Sequence, residues 1–267
     1  MNKFEKEMIE ILKRSKDNFN IVATKAEFEA EGTRVDELLR LIDIANQANV
    51  DIALKVGGCE AIRDLLEAKQ FGVKYIIAPM VETPYALKKF INAKNKVFYE
   101  KENNCVEFLF NLETYNSYKF LKDLVDIAKK DNGCNGLVFG RVDFSGSMNL
   151  SRNEIEEEKI TVIGEEIAQE CKKADLDFIV GGAISSAAIP ALKRFNKIKL
   201  NRFETRKIIF NSSALKNKDL EIGLKDAVKF ELLWLLNKRE YYKFIYKEDD
   251  VRINMLEKRW KVLEKEF

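Results

Sequence analysis

Short runs of β-branched and aromatic residues alternate along this chain with longer stretches whose apolar positions recur every three or four residues, the pattern of successive βα units around a parallel sheet. The strand-like runs are NIVATKAEF (20–28), DIALKVG (51–57), VKYIIAP (73–79), VEFLFNLE (106–113), GLVFGRVDF (136–144), DFIVGGA (177–183) and FETRKIIF (203–210). An amphipathic helix is expected near 2–16. In EAIRDLLEAKQFG (60–72), Ile62, Leu65, Leu66 and Phe71 share a face ahead of Gly72 at a C-cap, and VDELLRLIDIANQA (35–48) behaves similarly.

The order predicts a TIM-type (β/α)8 barrel rather than a doubly wound sheet, which would carry a glycine-rich phosphate loop at its first turn. Seven strands are visible, so the eighth is sought around 95–103 or in YYKFIYK (241–247), or the barrel is modified. From about 219 to 267 the pattern is helical, giving a C-terminal extension on a single domain, 1–267. Its apolar positions, among them Trp234, Val251, Met255 and Trp260, pack on this chain or on an identical partner, with docking of another protein as the alternative.

Charge narrows the function. The 267 residues carry 46 Lys and Arg against 44 Asp and Glu, a net charge of +2, with both signs interspersed. That balance argues against nucleic-acid or anionic-membrane binding. MNKFEKEMIEILKRS does not read as a signal peptide and no run is apolar enough to span a bilayer, so a cytoplasmic protein is expected. Cys59, Cys105, Cys134 and Cys171 lack close pairing or metal-type spacing and read as reduced, mostly buried thiols.

The chain has no histidine. This removes the commonest general base, the Ser-His and Cys-His nucleophile systems and every imidazole ligand. An oxygen-lined site for Mg2+ or Mn2+ is the metal chemistry that remains. Glu113 and Asp143 each stand at the end of a strand-like run, where a parallel barrel would bring them to one mouth around a divalent cation. Period two places Arg141 on the face of Asp143, and Lys25, Glu27 and Glu29 together on one side of the first strand. Gly57-Gly58 and Gly181-Gly182 follow strands and precede helices, so their amides are candidates for substrate binding, with an unliganded tight turn as the bland alternative. Glu204, Arg206 and Lys207 fall toward the start of the last run, away from the catalytic end, and Asn211, Ser212 and Ser213 toward that end. Arg34 reads either as an anion ligand or as the start of a solvated helix face.

KVGGCEAIRDLLEAKQFGVKYIIAPMVETPYALKKF (55–90), EFLFNLET (107–114) and GLVFGRVDFSGSM (136–148) together resemble the HpcH/HpaI aldolase and citrate lyase β-subunit family of the pyruvate kinase-like barrels, over roughly residues 20–185. APMVET and the ordered LET and GRVD elements carry the likeness. It implies a divalent cation held by Glu113 and Asp143, and carbon–carbon cleavage or condensation on a small carboxylate or 2-oxo acid, free or CoA-linked, through an enolate. Lys55 stands where the family segment has arginine, and with Arg141 it is the candidate to stabilise substrate oxygens. Glu27 or Glu29 would replace the histidine that aldolase members use. A homo-oligomer is expected. The alternatives are a ligand-binding or regulatory barrel without catalysis and a phosphoenolpyruvate-related enzyme.

Overall fold

The computed structural model describes residues 1–98 and 105–263. Eight strands close a barrel in sequence order: β1 (Ile21–Glu27), β2 (Asp51–Lys55), β3 (Tyr75–Ala78), β4 (Glu107–Leu112), β5 (Gly136–Gly140), β6 (Asp177–Gly181), β7 (Arg202–Glu204) and β8 (Ile208–Asn211). Strands β1 to β7 are parallel, and β8 is antiparallel to both neighbours. The modification is therefore a hairpin. FETRKIIF, expected as one strand, is two short ones joined through Thr205, Arg206 and Lys207. Thr205 closes the turn: its N–H and the Ile208 carbonyl pair at 2.9 Å, and its hydroxyl accepts from Ile208 N–H at 3.1 Å.

The eighth strand of the closed barrel is Ile208–Asn211. YYKFIYK lies inside a helix. Of 95–103, residues 95–97 end a helix and 99–103 lie outside the described residues.

The helices follow the 3.6-residue pattern, with α1 (Lys3–Phe19), α2 (Val35–Gln47), α3 (Ile62–Gln70), α4 (Pro84–Val97), α5 (Tyr115–Tyr118), α6 (Leu121–Ala128), α7 (Arg141–Ser147), α8 (Glu158–Ala174), α9 (Ile189–Ile198) and α10 (Leu220–Leu263). Asn2 caps α1 in a reciprocal box with Glu5. Leu65 of α3 is buried, whereas Ile62 and Leu66 face solvent, and Gly72 takes the left-handed conformation after the helix. Side chains from the outer strand faces and the helices form the large core. Inside the barrel a smaller cluster, including Ala23, Ala53, Ile77, Leu109, Val138 and Ile179, fills the lumen. Beneath it Arg202 pairs with Glu107 at 2.7 Å and Asp177 at 2.6 Å, with its guanidinium over the Tyr75 ring, so the N-terminal end is plugged by an ion cluster.

α10 runs antiparallel along α1. Phe19 packs on Gly223, Arg14 binds Asp226 bidentately at 2.7 Å, and Asn2 donates to Asn237 at 2.6 Å. Since α1 descends toward the start of β1, α10 climbs back toward the mouth. There Tyr242 donates to Glu37 at 2.5 Å and Arg34 stacks over the Tyr242 ring. Beyond that point its described side chains are exposed, including Phe244, Tyr246, Val251, Met255 and Trp260, while Trp234 is buried. No helix among the described residues is long and apolar enough to cross a membrane. Cys134 and Cys171 are buried free thiols, Cys59 is half-buried and Cys105 exposed.

Candidate active site

The antiparallel course of β8 decides which residues reach the mouth. β7 ends at Glu204, level with Gly181 of β6, and the following turn stands at the same end as the C-terminal tips of β1 to β6. Glu204, Arg206 and Lys207 thus belong to the mouth, and Asn211, paired with Arg202, lies at the opposite end. This reverses the expectation from sequence.

Glu113 follows β4 and is buried. Its Oε1 accepts from the Met80 N–H at 2.8 Å and its Oε2 from Asn111 Nδ2 at 2.7 Å, with Lys55 Nζ at 3.4 Å. Met80, within APMVET, takes a left-handed φ of 47°, a conformation costly for methionine that aims its amide at the carboxylate. Gly140 makes room for the acid: a Cβ there would stand 2.8 Å from Glu113 Cβ and 3.0 Å from its Oε2. Gly181 does the same for Glu204, whose carboxylate lies 3.2 Å from the position a Cβ would take. Because Gly140 and Gly181 are partners on adjacent strands, Glu113 and Glu204 lean in from either side over a two-glycine shelf.

On the β1 side the inward series forms a connected ionic network. Lys25 binds Glu204 at 2.5 Å and Glu27 at 3.3 Å; Lys55 bridges Glu29 at 2.9 Å to Glu113; Lys207 binds Glu31; Arg206 donates to Glu31 at 3.1 Å and stands 4.0 Å from Glu27. Lys25, Glu27, Lys55, Glu204 and Lys207 are all buried. Burial alone would lower the Lys25 and Lys55 pKa values, but the flanking carboxylates, Glu204 and Glu27 for Lys25 and Glu113 and Glu29 for Lys55, hold both above the ordinary lysine value. Burial would raise Glu27, yet Lys25, Lys55 and Arg206 bring it below the usual carboxylate range. For Lys207 burial prevails over Glu31, and its pKa falls.

The other expected site residues are placed as follows. Arg141 and Asp143 are not on a strand: β5 stops at Gly140 and both residues open α7, so period-two geometry does not relate them. Arg141 is 1% exposed and clamped, donating to Glu156 at 2.9 Å and 3.0 Å and to the Gly182 carbonyl at 3.0 Å. Asp143 is exposed and makes no ion pair or side-chain hydrogen bond with the described residues. The Gly57 amide is taken by Asp64 Oδ2 at 2.6 Å, Gly58 stands in open space, and Gly182 takes a φ of 83° with its Cβ position against Val142 N. Sequence reading placed Glu204, Arg206 and Lys207 at the opposite end because no glycine, proline or asparagine marks their turn, which Thr205 closes instead.

The donors at the mouth decide whether a divalent cation fits there. Among the described residues no group of three or more His, Cys, Asp or Glu could hold a metal ion. Mg2+ needs no such cage, since it takes one or two carboxylates and fills its shell with water and substrate oxygens. The mouth network contains five carboxylates (Glu27, Glu29, Glu31, Glu113 and Glu204) and four basic groups (Lys25, Lys55, Arg206 and Lys207), leaving excess negative charge. Asn111 Oδ1 and Glu204 Oε2 are buried acceptors without hydrogen-bond partners among the described residues, suited to the waters of a hydrated ion. The residues fit a hard, oxygen-liganded cation.

A closed eight-stranded barrel with carboxylates and lysines converging at the C-terminal mouth is the architecture of barrel enzymes, whose chemistry sits at that face. The sequence profile of the HpcH/HpaI aldolase/citrate lyase family matches residues 22–187, and the chain belongs to that family, one of aldolases and lyases. Among curated proteins none matches the chain in sequence. Solved structures share the fold at low identity. An HpcH/HpaI aldolase from Desulfitobacterium hafniense DCB-2 is 12% identical with a TM-score of 0.60, covering 82% of this chain and 88% of its own. An HpcH/HpaI aldolase/citrate lyase family protein from Burkholderia cenocepacia J2315 is 12% identical with a TM-score of 0.60, covering 91% and 90%. A citrate synthase variant is 14% identical with a TM-score of 0.55, covering 74% and 81%.

Proposed function

We propose that the protein is a divalent-metal-dependent carbon–carbon lyase or aldolase that cleaves or forms a bond beside the carbonyl of a 2-oxo acid or related carboxylate. One observation carries this reading: Glu113 is held rigidly by the Met80 amide and Asn111, while Lys55 links it to Glu29. Glu113 and Asp143 would hold Mg2+ or Mn2+. When bound, the cation supplies positive charge where negative charge develops on the substrate carbonyl oxygen.

The chain's own residues supply the rest. Lys55, kept protonated by its carboxylate neighbours, adds a fixed cation beside Glu113. β1 ends at Glu27, so Glu29 sits in the bend that follows rather than in the alternating series of the strand, and it is the more accessible of the two acids to a substrate proton. Its side chain is 26% exposed and held by a single ion pair, whereas Glu27 is buried and stabilised as an anion by three bases. Arg141 acts as a positioning residue, pinning the β6–α9 connection through Gly182. With Gly57 N–H already used by Asp64, phosphate chemistry gains no support from that turn. The exposed apolar face of α10 supports a homo-oligomer.

The test is exchange of pyruvate methyl protons with D2O, followed by NMR with and without Mg2+ or Mn2+. Metal-dependent exchange that Glu113→Gln abolishes is expected. Pyruvate binding indifferent to metal, without exchange or cleavage, would instead favour a binding barrel.

A further inference from the structure

We infer that Arg206 forms an anion-binding subsite on the lip opposite Glu113 and Asp143, selecting substrates whose far end carries a second acidic group. This rests on the lyase reading above and adds the substrate class. The argument begins with which bases at the mouth remain available. Lys25 and Lys207 are buried, and each is bound to a glutamate; Lys55 is held between Glu29 and Glu113; Arg141 is buried and spends its terminal nitrogens on Glu156 and the Gly182 carbonyl. Arg34 lies over Tyr242, on the α10 side.

Arg206 differs from all of these. Its side chain is 52% exposed at the tip of the β7–β8 turn and is oriented by Nε donation to Glu31 at 3.1 Å. Neither of its Nη atoms donates a hydrogen bond to a described residue, and Nη2 stands 4.0 Å from Glu27. Glu31 and Glu27 are themselves bound by Lys207 and Lys25, so they anchor the guanidinium without exhausting it. A planar fork with both outer donors open suits a carboxylate or another oxyanion.

Position defines what it reads. Glu113 follows β4 and Asp143 lies in α7 just after β5, whereas Arg206 stands between β7 and β8, across the mouth. On this placement Arg206 meets the portion that leaves on cleavage, or the aldehyde that joins on condensation.

The test compares condensation of pyruvate with glyoxylate, an anionic aldehyde, and with glycolaldehyde, its neutral counterpart, in the presence of Mn2+. Wild-type protein is expected to prefer glyoxylate. Arg206→Gln should lower kcat/KM for glyoxylate by about 10- to 100-fold, the loss of a charge-assisted hydrogen bond, and leave glycolaldehyde and pyruvate proton exchange unchanged. Arg206→Lys should fall between. Equal losses on both aldehydes, or no loss on glyoxylate, would overturn the subsite while proton exchange still upheld the lyase. Absence of exchange in the wild type would remove both.

Discussion

Replacing Lys25 with methionine keeps the length of the side chain and deletes its charge, leaving two carboxylates stranded in the mouth. Lys25 is 6% exposed, and its ammonium lies 2.5 Å from Glu204 and 3.3 Å from Glu27, themselves 5% and 7% exposed. Removing one partner from a buried ion cluster costs about 3–5 kcal/mol, because the remaining charges lose compensation that water cannot restore. The penalty depends on pH with a defined sign. Glu27 lies below its ordinary pKa of 4.5 in the fold, so its contribution is complete above that value and fades as pH falls through the lower folded value. Without Lys25 that contribution disappears, so the gap between wild type and variant is widest near neutrality and narrows in acid. Urea unfolding followed by circular dichroism at pH 7.5 and at about pH 3, on either side of the window in which Glu27 takes up its proton, measures both. Lys25→Met/Glu204→Leu should recover part of the loss, since the orphaned charge leaves with its partner. A loss below about 1 kcal/mol, or an equal loss at both pH values, would refute the account of Lys25 as the hub of the network.

Gly140→Ala places a methyl group 2.8 Å from Glu113 Cβ, so Glu113 must move; metal-dependent pyruvate exchange should fall more than tenfold with only a modest drop in Tm, and unchanged exchange would show that Glu113's position does not matter. Arg202→Leu strands Glu107 and Asp177 at the closed end and should destabilise by about 3–5 kcal/mol in urea, while the KM for pyruvate exchange stays put because the mouth is untouched. Ending the chain after Tyr246 removes, among the described side chains, only exposed ones on α10, so Tm should hold within about 2 °C while size-exclusion chromatography reports a smaller assembly; an unchanged assembly size would place the oligomer contact elsewhere.

Much of the barrel was readable because six of its strands are long enough to show apolar runs, and the helices between them bury regular stripes. The seventh and eighth were merged because Arg202–Glu204 and Ile208–Asn211 are too short for periodicity to separate, and their turn depends on a threonine hydroxyl rather than a glycine. That merger moved Glu204, Arg206 and Lys207 to the wrong end. The break after Gly140 was hidden for a related reason: GLVFGRVDF continues in apolar character into α7, where Phe144 is as buried as Phe139. Family likeness led to Glu113 and Asp143, and alternation in KAEFE brought Lys25 and Glu27 to one side. Neither could reveal that Lys55 is committed to two glutamates, because pairing across strands depends on register that a lone sequence does not display.

The climb of α10 alongside α1 has a practical consequence for anyone attaching a reporter. Asn2 sits beside Asn237 near the rim, so a fluorophore or domain joined at the amino end would crowd the entrance that ligands use. Residues 247–263 of α10 carry the other end outward by about 25 Å, at 1.5 Å per residue. Labels placed there would stay clear of arriving molecules while still registering whether two copies have come together.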